Sequence, residues 1–190
     1  MSAWKDFISD VAGLLARSEA HTHGLVRVDA EQAFALWVGW TLATRARRGT
    51  AYFAGNGASA SMACHFSADL AKNARVRTQI FTDPSLLTAV GNDISYEQVF
   101  AEPLTWFAQE GDLLVTVSSS GNSPNVVAAL VAARRLGVRS VALSGMREDN
   151  QSRHLADLSL YVPAHSYGLA ETCHAAILHH WMDLMEAAPR

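Results

Sequence analysis

Ser118-Ser119-Ser120-Gly121-Asn122-Ser123-Pro124 has the composition of an anion-binding loop. It follows the apolar run Leu113-Leu114-Val115-Thr116-Val117 and leads into a helical pattern from Asn125 to Leu136. A helix N-terminus offers free N–H groups and a partial positive charge, and the serines add hydroxyl donors. The loop contains no Lys or Arg, so binding would rest on neutral donors and the helix dipole. The ligand this suits is a phosphate carried on a small molecule.

A second loop of similar design, Gly55-Asn56-Gly57-Ala58-Ser59, also ends an apolar stretch and opens a helix. Its glycines permit close backbone approach. Ala60 stands where a dinucleotide fingerprint needs its third glycine, and neither a Walker ending nor a Gly-x-Ser-x-Gly elbow is present. Alone, this loop reads as a strand-to-helix turn. Beside the serine loop it reads as part of one site, because both emerge at the C-terminal edge of a parallel sheet, where ligands bind. The helix after Ser59 carries His65 and Asp69 one turn apart on one face. That spacing suits a shared metal or a hydrogen-bonded pair. The last helix carries Glu171, His174, His179 and His180 in an otherwise apolar stretch, where such groups are costly to bury unless paired or coordinated. His174 and His180 read as surface residues. Neighbouring serines look like donors rather than one activated nucleophile, which argues against a serine hydrolase.

The elements that position these groups follow from periodicity. Trp4, Phe7, Ile8, Val11, Leu14 and Leu15 recur at helical spacing. After a polar break around 19–29, a capping box of Asp29 and Gln32 opens a second helix that Gly49 stops. From Ala51 onward, strands at 51–54, 79–82, 113–118, 139–144 and 158–162 alternate with helices near 59–72, 85–90, 95–108, 124–136 and 170–187. Alternation of this kind predicts an α/β three-layer sandwich: a five-stranded parallel sheet, doubly wound, flanked by helices and preceded by two N-terminal helices. Residues 1–190 read as one domain, with 1–49 serving packing and oligomerisation and 50–190 forming the α/β core.

With 190 residues, 49% hydrophobic, 17% charged and a formal net charge of −3, the chain reads as a globular protein. It lacks the basic density of a nucleic-acid or membrane surface. Arg45, Arg47 and Arg48 fit a solvated helix end that suits the dipole. Cys64 and Cys173 sit among apolar residues and read as buried thiols of a cytoplasmic protein. No signal peptide or membrane span is expected.

Taken together, Gly-Asn-Gly-x-Ser, a His-Phe-x-x-acid helix, Val90-Gly91-Asn92-Asp93 and Ser-x-Ser-Gly-Asn-Ser resemble the SIS (sugar isomerase) phosphosugar-binding domains, in particular the phosphoheptose isomerases. The resemblance spans nearly the whole chain. It implies a homotetramer, with sites completed by neighbouring subunits. It also implies one zinc per subunit and interconversion of sedoheptulose 7-phosphate with D-glycero-D-manno-heptose 7-phosphate. Carried over residue by residue, Ser59, Ser118, Ser119, Ser120 and Ser123 would hold the phosphate, with Asn56, Gly57, Asn92 and Asp93 also on the substrate. His65, Asp69, Glu171 and His179 would ligate the metal. Asp69 would be the base, with Glu171 as the alternative, and His179 the acid.

The chain departs from the family pattern at three places. Asp69 stands where the family has a glutamate, and Glu171 where it has a glutamine. Gly168-Leu169-Ala170 lacks the family's Asp-Arg. Eight residues separate Glu171 from His179, about 12 Å on an ideal helix, so a shared metal would need Glu171 in a loop-like placement. Two other readings therefore stand beside the heptose isomerase. One is a weak or inactive SIS adaptor of the kind that associates with the bacterial replication initiator. The other is an isomerase for a different sugar phosphate.

Overall fold

The computed structural model describes residues 3–188. Five parallel strands form its centre: β3 (Thr50–Gly55), β4 (Arg77–Ile80), β5 (Leu113–Ser118), β6 (Arg139–Gly145) and β7 (Leu158–Val162). All five fall at or within two residues of the runs that the apolar pattern predicts.

The sheet is nevertheless seven-stranded, which corrects the expected five. Its order is β2-β1-β7-β6-β5-β3-β4. β1 (Glu19–Thr22) and β2 (Val26–Val28) form a small antiparallel hairpin, and β1 pairs antiparallel with β7. Both lie in the stretch read as a polar break. Strands this short and polar carry no periodicity signal of their own. They form because β7 offers an open edge and because Ala20 and His21 bury beside it. Arg153 completes the anchor: it is 4% exposed, donates to Glu19 Oε2 at 2.8 Å and lies over the Tyr161 ring at 4.2 Å.

Helices cover both faces, as a doubly wound sheet requires. The core is accordingly split in two. Phe53, Val115, Val117, Val141 and Leu143 face α1 (Trp4–Ala16), α2 (Ala30–Ala46), α3 (Ala58–Ala74) and α8 (Tyr167–Ala187). Trp37 of α2 stacks on Trp181 of α8 at 4.2 Å between ring centroids. Tyr52, Ala54, Leu114 and Ala142 face α4 (Pro84–Asp93), α5 (Ala101–Phe107), α6 (Pro124–Arg135) and α7 (Gln151–Leu155). The predicted capping box of α2 is present: Asp29 Oδ1 accepts from the Gln32 amide at 2.7 Å, and Gln32 Oε1 accepts from the Asp29 amide at 3.3 Å. The helix expected over 95–108 is a single 3-10 turn at Tyr96–Gln98 followed by α5. The chain leaves β3 for β4 on one side, then crosses to β5 on the other. The loops after β3 and β5 therefore meet where the winding reverses, the place at which such sheets bind ligands.

Candidate active site

At this reversal lies a cleft of about 190 Å³ lined by Asn56, Ser59, the serines of the 118–123 loop, Tyr167 and Glu171. Backbone geometry shapes both walls. Gly57 caps α3 with φ at 57°, in the left-handed region that favours glycine. A Cβ on Gly55 would come within 2.9 Å of the Ser59 and Val117 backbones, so only glycine lets the two loops close up. Pro124 at the first position of α6 forfeits an N–H that the helix would not have used.

The serine hydroxyls are differently engaged. Ser118 and Ser123 share a hydrogen bond at 3.3 Å. Ser120 Oγ accepts from the Asn122 amide at 3.2 Å, which tightens the loop. Ser119 Oγ is buried and has no partner among the described residues. A buried hydroxyl left without a partner is costly, and a phosphate oxygen in the cleft would satisfy it. The loop is held from behind by α7, where Ser152 donates through both its amide and its hydroxyl to the Gly121 carbonyl.

The remaining predicted residues divide into groups. His65 Nε2 lies 3.3 Å from Asp69 Oδ2, and the His65 and His179 rings meet edge-on at 5.9 Å. His179 also packs edge-on against Phe66 at 4.8 Å. These three form one cluster where α3 and α8 pack together. Glu171 is not with them. It sits in the second turn of α8, not in a loop, and lines the serine cleft, about two helical turns from His179. Asn92 and Asp93 are exposed at the end of α4, bonded to each other at 2.8 Å. They lie outside the cleft, and Tyr96 ties their segment to it by donating to Asn56 Oδ1 at 3.4 Å.

His65, Asp69 and His179 offer donor types that zinc accepts, but the proposed four-residue set does not fit one ion. Glu171 is too far along the helix, and His65 and Asp69 are turned toward each other. Among the described residues no three His, Cys, Asp or Glu side chains form a group that could hold a metal.

His174, read as a surface residue, is fully buried instead. Its Nε2 lies 3.1 Å from the Ser144 carbonyl, to which the ring donates, and burial depresses its pKa to about 4. It is a neutral structural group beneath the site. Asn125 escaped the sequence reading: it is 2% exposed and bonds reciprocally with Asn56. The only sequence signal for it was its place one residue after Pro124.

A doubly wound sheet with a lysine-free hydroxyl cleft at its switch point defines a phosphosugar-binding α/β domain. Comparison with known proteins agrees. The SIS domain model matches residues 26–145. The phosphoheptose isomerase of Akkermansia muciniphila is 41% identical over 143 residues, which covers 70% of this chain and 74% of that protein. That of Syntrophotalea carbinolica is 38% identical over 138 residues, 70% of each. The solved structure of the Neisseria gonorrhoeae phosphoheptose isomerase superposes with a TM-score of 0.82 at 26% identity, covering 96% of this chain and 94% of that one. The chain belongs to the SIS domain family, within its phosphoheptose isomerase branch.

Proposed function

We propose that this chain is an aldose–ketose isomerase that interconverts sedoheptulose 7-phosphate and D-glycero-D-manno-heptose 7-phosphate through an enediol. The observation that carries the reading is the division of the site into two parts, an anion cleft at the serine loop and a His65–Asp69–His179 cluster further down α3 and α8. Glu171, at the cleft, and His179 are about 12 Å apart along the helix. A seven-carbon phosphate, extended, spans on the order of 10 Å. A substrate anchored by its phosphate therefore extends toward the cluster. The named isomerase relatives favour the heptose over other sugar phosphates and an enzyme over an adaptor.

Ser59, Ser118, Ser119, Ser120 and Ser123 bind the phosphate, with the α6 N-terminus behind them. The binding energy of this remote group orients the reacting carbons. Asp69 removes the proton between C1 and C2, and His179 delivers a proton to the carbonyl oxygen. His65 holds Asp69 in place through their contact. Asn56, through its backbone, and Gly57 complete the substrate contacts at the cleft, with Asn92 and Asp93 beyond it in the segment that Tyr96 ties to Asn56. Zinc would require Glu171 or groups of a second subunit to be brought to the cluster.

We further infer that the chain works as a cytoplasmic homotetramer with sites at its interfaces. His65 and His179 are exposed, and α1 presents Trp4 and Ile8 to solvent. No helix among the described residues is long and apolar enough to cross a membrane.

The test is turnover of sedoheptulose 7-phosphate, with a pentose phosphate and a hexose phosphate as comparisons, each assayed with and without zinc. Heptose turnover that His179→Ala abolishes, with the oligomer unchanged by light scattering, supports the reading. Binding of the sugar phosphate with no turnover under either condition would return the chain to the adaptor class.

A further inference from the structure

Asn56 and Asn125 lie 69 residues apart in sequence, yet their side-chain amides exchange two hydrogen bonds. Asn56 Nδ2 donates to Asn125 Oδ1 at 2.8 Å, and Asn125 Nδ2 donates to Asn56 Oδ1 at 2.9 Å. The Val126 amide, which can only donate, also reaches Asn125 Oδ1 at 3.0 Å and so fixes which end of that side chain is oxygen. Tyr96 donates to Asn56 Oδ1 at 3.4 Å from outside. Asn125 is 2% exposed.

The position of this pair gives it a task. The β3–β5 ladder ends at Gly55 opposite Val117. Beyond that point the Gly-Asn-Gly loop and the serine loop leave the sheet as separate segments. The amide pair joins them again, one partner in the first loop and the other in the opening turn of α6. It also commits most of the Asn56 amide, so the first loop meets a ligand chiefly through its backbone and Ser59.

We propose that Asn125 is a positioning residue for the reaction. It holds the two walls of the phosphate cleft at one separation, so that donors from β3–α3 and from β5–α6 converge on a single phosphate. This rests on the reading of the cleft as the phosphate site. Donors spaced by a flexible gap would each bind in turn, whereas donors fixed together bind at once.

The test titrates inorganic phosphate, then the heptose phosphate, into the intact protein and its variants. Asn125→Ala should weaken phosphate binding about tenfold, because it removes the acceptor of Asn56 Nδ2 and leaves Asn56 Oδ1 with Tyr96 alone. KM should rise with it while kcat changes little. Asn125→Asp should be weaker still at about pH 8, where a carboxylate oxygen faces Asn56 Oδ1. Should either Asn125 variant fail to fold by circular dichroism, Asn56→Ala removes the same pair from its more exposed side and should show the same loss. Wild-type affinity in Asn125→Ala or Asn56→Ala, or a fall in kcat with KM unchanged, would overturn the proposal. Failure of the wild-type protein to bind phosphate would instead overturn the cleft reading on which it rests.

Discussion

His65 Nε2 and Asp69 Oδ2 lie 3.3 Å apart, one turn from each other on α3, and His179 of α8 closes on the same pair. The contact orients the Asp69 carboxylate, and the His65 ring in turn meets that of His179, the proposed acid, edge-on at 5.9 Å. Asp69→Asn keeps the shape and removes the proposed base. Its kcat should fall about 10²- to 10⁴-fold, while KM, set mainly at the distant phosphate, should change little. A steady-state assay checks this. A fall in KM's favour alone, with kcat intact, would move the base to Glu171.

Glu171 shares its cleft with the serines and with no Lys or Arg. A carboxylate there opposes a phosphate dianion. Two such charges about 6 Å apart interact by roughly 1–3 kcal/mol at an effective dielectric between that of water and of a protein surface. Glu171→Gln should therefore tighten phosphate binding by severalfold or more, and the gain should shrink as salt is raised. Calorimetric titration at two ionic strengths reads it directly. Weaker binding in the glutamine variant would show that Glu171 makes an attractive contact to the substrate instead.

Much of this arrangement is legible in the amino-acid sequence, and what is not has physical causes. The strands β3, β5, β6 and β7 are buried runs bounded by Gly or helix caps, so their type and order could be read. β1 and β2 are four and three residues long and depend on the edge of β7, a long-range partner that local pattern does not encode. The serine cleft was visible because its donors are contiguous. The Asn56–Asn125 pair was not, since neither residue signals the other. A metal shared with His179 would need Glu171 in a loop-like placement; the helix expected over 170–187 includes it, and propagation from the Ser166 cap, where Ser166 Oγ accepts from the Leu169 amide at 3.4 Å, keeps it on α8. His174 read as polar and hence exposed, yet it is buried as a neutral imidazole, with Nε2 on the Ser144 carbonyl and Nδ1 without a partner among the described residues.

Ser119 separates binding from stability. Its hydroxyl is buried without a partner among the described residues, so the folded protein carries an unsatisfied polar group. Ser119→Ala removes it. Thermal stability should be unchanged or slightly higher, while affinity for the sugar phosphate should drop by about 10- to 100-fold, the worth of one hydrogen bond to a charged oxygen. Melting curves with and without phosphate test both halves. A variant that loses stability without ligand would mean that the hydroxyl is satisfied within the fold.

His174 makes stability depend on pH in a direction that can be worked out. Its ordinary pKa of 6.5 is lowered to about 4 by complete burial, partly offset by the bond to the Ser144 carbonyl. The unfolded chain therefore binds this proton more readily than the folded one. Above about pH 6.5 both states hold a neutral ring and the group has no pH effect. As pH falls from there toward 4, the unfolded state gains the proton first and the fold loses stability, by a few kcal/mol at most. His174→Gln retains a donor for the Ser144 carbonyl and cannot titrate. Urea unfolding at several pH values should then give a curve for the variant that is flatter than the wild-type curve below pH 6.5 and parallel to it above. Parallel curves throughout would mean that the imidazole reaches solvent or a proton acceptor in solution, and that the packing of α8 on β6 is looser than the Nε2–Ser144 contact implies.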